Sequence, residues 1–225
     1  MPLGRLATVS KLVCVIAAVC VLAGCSSNTT TAMNADIAKI AQVKLNFGPE
    51  FKVTDISERA IDPKLLSARK LPEGLKFDPA NCAKLASGPD MPPDVKGNMA
   101  AVSAEGNGNR YVVIAVETSK PLPPNDPSKD CDKVAFSGGQ VRGGLEVIDA
   151  PHIDGTHTFG VHRVLQAVLT GGTRTGELYD YSAQFGDFQV IVIANPLVTA
   201  DQPVAKVDTQ RARDLLVKGV DAIRT

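Results

Sequence analysis

Three histidines, His152, His157 and His162, lie close together in the chain beside Asp149 and Asp154. Imidazoles and carboxylates are the side chains that hold zinc. Their spacing argues against a shared ion. If Thr156 to Arg163 is one strand, His157 shares a face with Phe159 and Val161, while His162 points to the other face. A common metal would then need a bulge at Gly160, so the three read as ordinary loop and strand histidines and no metal is expected. Acyl chemistry would need a nucleophile on a strained turn, with a base and an orienting acid. The sequence has no Gly-x-Ser-x-Gly, and Ser137 before Gly138-Gly139 is a weak substitute. The glycine pairs could cradle a phosphate only where a helix begins. None precedes a clear helix, so they read as hairpin turns. No catalytic constellation and no cofactor are expected.

Cysteine chemistry is more telling. Arg5 and Lys11 precede an apolar run from Leu12 to Leu22, followed by Ala23, Gly24 and Cys25. The run is well below the roughly 20 residues of a membrane span and reads as a signal-peptide core over residues 1–24. Leu22-Ala23-Gly24-Cys25 resembles the lipobox of bacterial lipoproteins, which implies diacylglycerol on the Cys25 thiol and cleavage before it. Each buried CH₂ of such chains contributes roughly 0.8 kcal/mol, and two chains hold a protein on a membrane where one lets it exchange. Residues 25–34 form a Ser-, Thr- and Asn-rich tether of about 15 to 20 Å reach. Thr29, Thr30 and Thr31 fit an O-glycosylation site or a plain solvated linker.

The precursor balances 24 Lys and Arg against 24 Asp and Glu. Loss of Arg5 and Lys11 leaves the mature chain slightly acidic, without the basic patch that nucleic acid would require. Residues 35–225 fit a single globular domain. Outside the cytoplasm its two cysteines, Cys82 and Cys131, are expected to pair, contributing roughly 4 kcal/mol in the chain-entropy model. Asp78-Pro79 and Asp126-Pro127 each read as a helix start leading into a cysteine.

Elsewhere, Ile37, Ile40, Ala41 and Leu45 predict a first helix after Asn34, and Asp62-Pro63 opens a second to about Ala68. Asn98 to Glu105 and Arg110 to Thr118 form a hairpin about Gly106-Asn107-Gly108-Asn109. A shorter strand lies around Glu146 to Asp149. Thr156 to Thr170, Gly176 to Phe185 and Phe188 to Ala194 make a meander. Ala212, Leu215, Leu216, Val220 and Ile223 form the apolar stripe of a closing helix. The expected architecture is α+β, an antiparallel sheet of five or six strands with helices mainly on one face and one disulfide.

A Pro-introduced Cys helix, a second Cys before a Gly-rich strand, a Tyr-bearing meander and a closing helix occur in that order. Together they resemble mycobacterial cell-envelope lipoproteins of unknown function, whose domain is similar to the extracellular sensor domain of PknH-type serine/threonine kinases. The resemblance implies an α+β module with a ligand cleft and offers no catalytic motif. That sensor domain uses two disulfides, whereas this chain has cysteines for one. The expected function is therefore a lipid-anchored, extracytoplasmic, non-catalytic ligand-binding or sensor-like domain on the cell membrane, its ligand a small molecule, a lipid or a cell-wall component. Tyr179, Tyr181 and Phe185 share one strand face and could line its pocket or sit in the core. The alternative is a structural or protein-interaction lipoprotein, which would present an apolar patch or an open strand edge.

Overall fold

Asn107 and Gly108, both at positive φ (49° and 72°), turn strand β3 (Gly97–Gly106) straight back into β4 (Asn109–Thr118). That turn matches the right-handed twist of the two strands it joins. The computed structural model describes residues 34–61, 71–88, 92, 94–170, 172–198 and 203–224. The signal segment, Cys25 and the helix expected at Asp62 to Ala68 lie outside the described residues.

Around this hairpin the chain builds one antiparallel sheet in the order β1-β3-β4-β9-β8-β7-β6-β5-β2. The remaining strands are β1 (Lys52–Ala60), β2 (Lys76–Asp78), β5 (Lys133–Gly138), β6 (Val141–Val147), β7 (His157–Leu169), β8 (Gly172–Phe185) and β9 (Phe188–Pro196). The sheet has nine strands, not five or six. Two were not read from the sequence, β2 because it is so short and β5 because Gly138-Gly139 looks like a turn, and β6 was read only at its end, around Glu146, because Gly143-Gly144 looks like another. Gly138 and Gly139 do turn the chain, with Gly139 at φ 56°. Gly143 and Gly144, by contrast, lie inside β6. A Cβ on Gly143 would sit 2.1 Å from the Val164 carbonyl and 2.6 Å from the Phe136 ring, so glycine here makes room for an aromatic neighbour.

Of the described helices, the two longer ones lie on one face of the sheet and a five-residue helix lies on the other. On the first face rest a 3-10 helix (Ile37–Asn46) and the closing helix α2 (Thr209–Arg224). The former buries Ile37, Ile40 and Val43, every third residue, as three residues per turn require. Leu45, expected on the buried face, is 82% exposed. Its cap is Asp36, which accepts from the Ala38 N–H at 3.0 Å, and not Asn34. Helix α2 buries its stripe against Val113, Val190, Val192 and Tyr181, with Asp208 accepting from the Arg211 N–H at 2.9 Å. Gly219 lets it approach closely, since a Cβ there would meet Val190 at 2.9 Å and Ile40 at 3.3 Å.

Against the opposite face lies the short helix α1 (Ala83–Ser87), where Leu85 and Ala86 pack with Val134, Leu145 and Val161. The register places Val161 opposite Asp180 and Asp180 opposite Ile193, the side away from Tyr181 and Val192. The Cys82–Cys131 disulfide pins this layer. Cys82 ends a short 3-10 turn (Ala80–Cys82) whose cap is Pro79, because Asp78 is still strand. Cys131 lies in irregular backbone and no helix starts at Asp126. The loop leading to it crosses the same face, where Gln184 donates to the Leu122 carbonyl and His157 meets Asp126 at 2.6 Å.

Candidate functional site

Among the described residues, helical cover on the first face stops part-way across the sheet. Along β8, Phe185, Ala183 and Tyr181 are buried under the helices, and Tyr179, two residues further on, is only half-buried. Beyond it, the strands β7, β6, β5 and β2 present polar side chains on that face. The register aligns Lys76, Ser137, Arg142 and Gln166 across them, and likewise Lys133, Glu146, His162 and Tyr179. Alternation explains why: on β5, Lys133, Ala135 and Ser137 are exposed while Val134 and Phe136 are buried on the other side.

The inner part of this strip is held by hydrogen bonds. His162 Nε2 meets Glu177 Oε1 at 2.8 Å, and the Tyr179 hydroxyl donates to the same oxygen at 2.9 Å. The His162 and Tyr179 rings stack with centroids 4.3 Å apart. Lys133 Nζ pairs with Glu146 Oε1 at 2.9 Å, which lowers the Glu146 pKa and raises that of Lys133. Burial, and then the acceptor Glu177, push the Tyr179 phenol up to about 12, so it stays a neutral donor. At the outer part an open cleft of about 460 Å³ is lined by Lys76, Asp78, Ser137, Arg142 and Gln166, with Phe77 and Phe136 also in its wall. Arg142 Nε donates to Gln166 Oε1 at 3.0 Å.

Of the three aromatic candidates, Tyr179 alone reaches the surface. Tyr181 is 1% and Phe185 3% exposed, both in the core beneath α2, with the Arg224 guanidinium 4.3 Å from the Phe185 ring centre. The histidines are separate: His152 contacts Asp154, His157 contacts Asp126 on the opposite face, and His162 contacts Glu177. β7 runs through Gly160 without a bulge. Among the described residues no three His, Cys, Asp or Glu side chains gather as metal ligands. Ser137 lies at the cleft, two strands from His162. Lys76, Arg142 and Gln166 were missed by sequence reasoning because β2, β5 and the part of β6 that holds Arg142 were not read as strands, so nothing aligned the first two with Gln166 on β7. The signal available was the alternation itself, Lys133-x-Ala135-x-Ser137 with Val134 and Phe136 between.

Residues 36–224 match the model of a domain of unknown function, DUF5642. The chain belongs to this family. It is similar to an uncharacterized protein of Mycobacterium smegmatis, the Rv0999 ortholog, solved by X-ray crystallography. The two are 56% identical over 85% of this chain and 98% of that one, with a TM-score of 0.80. Similarity to the extracellular domain of PknH from Mycobacterium tuberculosis is distant: 9% identity over 84% of this chain and 93% of that one, with a TM-score of 0.35. No curated protein matches.

Proposed function

We propose that this DUF5642 protein is a lipid-anchored, extracytoplasmic lipoprotein whose domain binds a ligand without chemically changing it, on the bare half of the first sheet face. The observation that carries the reading is the arrangement of that half: polar, uncovered by any described helix, and ordered by the His162–Glu177–Tyr179 hydrogen bonds. Such a surface offers many weak polar contacts and no nucleophile held against a base. Its openness and polarity suit a hydroxyl-rich envelope component better than an acyl chain, which needs an apolar enclosure. The disulfide supports an oxidising compartment, and the Leu22-Ala23-Gly24-Cys25 motif supports the anchor. No described helix is long and apolar enough to cross a membrane.

Native mass spectrometry of residues 34–225 after exposure to an envelope extract tests this. A non-covalent adduct that leaves on denaturation is expected, and it should weaken when His162→Ala and Tyr179→Ala are combined. A clean apo mass throughout would refute it.

One observation favours the protein-interaction reading. β9 pairs with β8 only from Tyr179 onward, so among the described residues Gly172 to Leu178 has an open edge, next to Val168 and Leu169, each about half exposed. Open edges accept strands. Cross-linking in native envelopes that is lost in Thr175→Pro would move the assignment there.

A further inference from the structure

Charges on the bare face are matched at its inner end and unmatched at its outer end. Lys133 has Glu146 and His162 has Glu177. At the cleft, Arg142 spends its Nε on the neutral Gln166, and its two terminal NH₂ groups have no partner among the described residues. Lys76, brought alongside through Ser137, makes no ion pair among them either. Asp78 is the one carboxylate lining the cleft, so two cations face one anion.

We propose that this cleft is an anion site. It holds a carboxylate or phosphate group carried on a hydroxyl-rich polymer, with Arg142 making a two-point contact and Lys76 supplying the second charge. The inference rests on the reading of this face as a ligand surface and adds the ligand's chemistry. Gln166 fixes one side of the guanidinium plane, leaving its other N–H groups in the fork geometry that matches two oxygens of one anion. Ser137 and Asp78 add partners for hydroxyl groups. A polymer is favoured over a small free anion by the length of the polar strip: from the Arg142 row to the Glu146–His162 row is four residues along each strand, about 13 Å. There the Tyr179–His162 stack and Glu177 continue it. Phe77 and Phe136 also line the cleft, but it is open and not enclosed, so an acyl chain lying there would stay in contact with water.

The test is titration of the ¹⁵N-labelled domain, residues 34–225, followed by its amide shifts. The probes are oligogalacturonate, short-chain inorganic polyphosphate, poly-L-glutamate and dextran. Oligogalacturonate or polyphosphate should shift the amides of Ser137, Arg142 and Gln166 and bind more weakly as salt rises; which of them binds separates carboxylate from phosphate. Arg142→Gln and Lys76→Gln, both at exposed positions, should each weaken binding by about tenfold or more, as loss of a charged hydrogen bond does. Lys133→Gln, already paired, should change it far less. Equal binding of dextran, or no effect of Arg142→Gln and Lys76→Gln, overturns the anion site while leaving a ligand surface. Binding of poly-L-glutamate alone overturns the polymer class in favour of a protein partner. No binding in any arm overturns the site and the reading beneath it.

Discussion

Each of the three tyrosines has its phenol held in the neutral form. Burial pushes Tyr111 up to about 12, burial and Glu177 do the same for Tyr179, and burial raises Tyr181. The unfolded chain ionises its tyrosines near the usual value of about 10. The native state therefore binds more protons between these limits, and stability is complete below about pH 10 and falls as pH climbs toward 12. Absorbance at 295 nm should show no phenolate step near pH 10 in the folded domain and a full one in urea. A native step near pH 10 would contradict the burial of these rings. At Tyr179 the hydroxyl has a second role, since Tyr179→Phe keeps the His162 stack but leaves Glu177 with one donor fewer. A cost of about 1 kcal/mol in chemical denaturation is expected.

Strand β6 packs closely against its neighbours at Gly143. With the Val164 carbonyl 2.1 Å and the Phe136 ring 2.6 Å from a Cβ at Gly143, Gly143→Val must displace the ring or the backbone. A loss of about 1 to 3 kcal/mol is expected in urea unfolding, as for other overpacked sites. Since β6 carries Arg142 and Glu146, that variant should also weaken ligand binding. The closing helix is governed by the usual amphipathic logic. Leu216 is fully buried in the core shared by α2, the 3-10 helix and the sheet. Leu216→Ala should cost about 2 to 5 kcal/mol and leave the bare face unchanged, because that face lies beyond the helix. Measuring stability and binding on both variants separates the two elements.

For the molecule as a whole, the disulfide belongs to the α1 layer and not to the helices of the first face. Replacing Cys82 and Cys131 by Ala should lower stability by up to about 4 kcal/mol, measured as a lower midpoint in urea. Hydrogen exchange should rise first around α1 and β5. An unchanged midpoint would mean that the bridge carries little of the fold. The cleft also sits far from the point where the chain enters. Asp36 N–H donates to the Ile223 carbonyl and Arg224 reaches the Asp154 and Gly155 carbonyls, beside the start of β7. Gln166 lies nine residues along that strand, about 30 Å away. By itself the sequence determined what depends on local pattern: the Asn107-Gly108 hairpin, the alternating meander, the amphipathic closing helix and, with two cysteines in the domain, the Cys82–Cys131 pairing. Periodicity and turn chemistry are properties of neighbouring residues, so they can be read in order. It did not determine the strand count, the face on which α1 rests, or the alignment of Lys76, Ser137, Arg142 and Gln166. Only the tertiary structure decided those, because short Gly-bearing strands gain their stability from the partners they pair with, and those partners are distant in the chain.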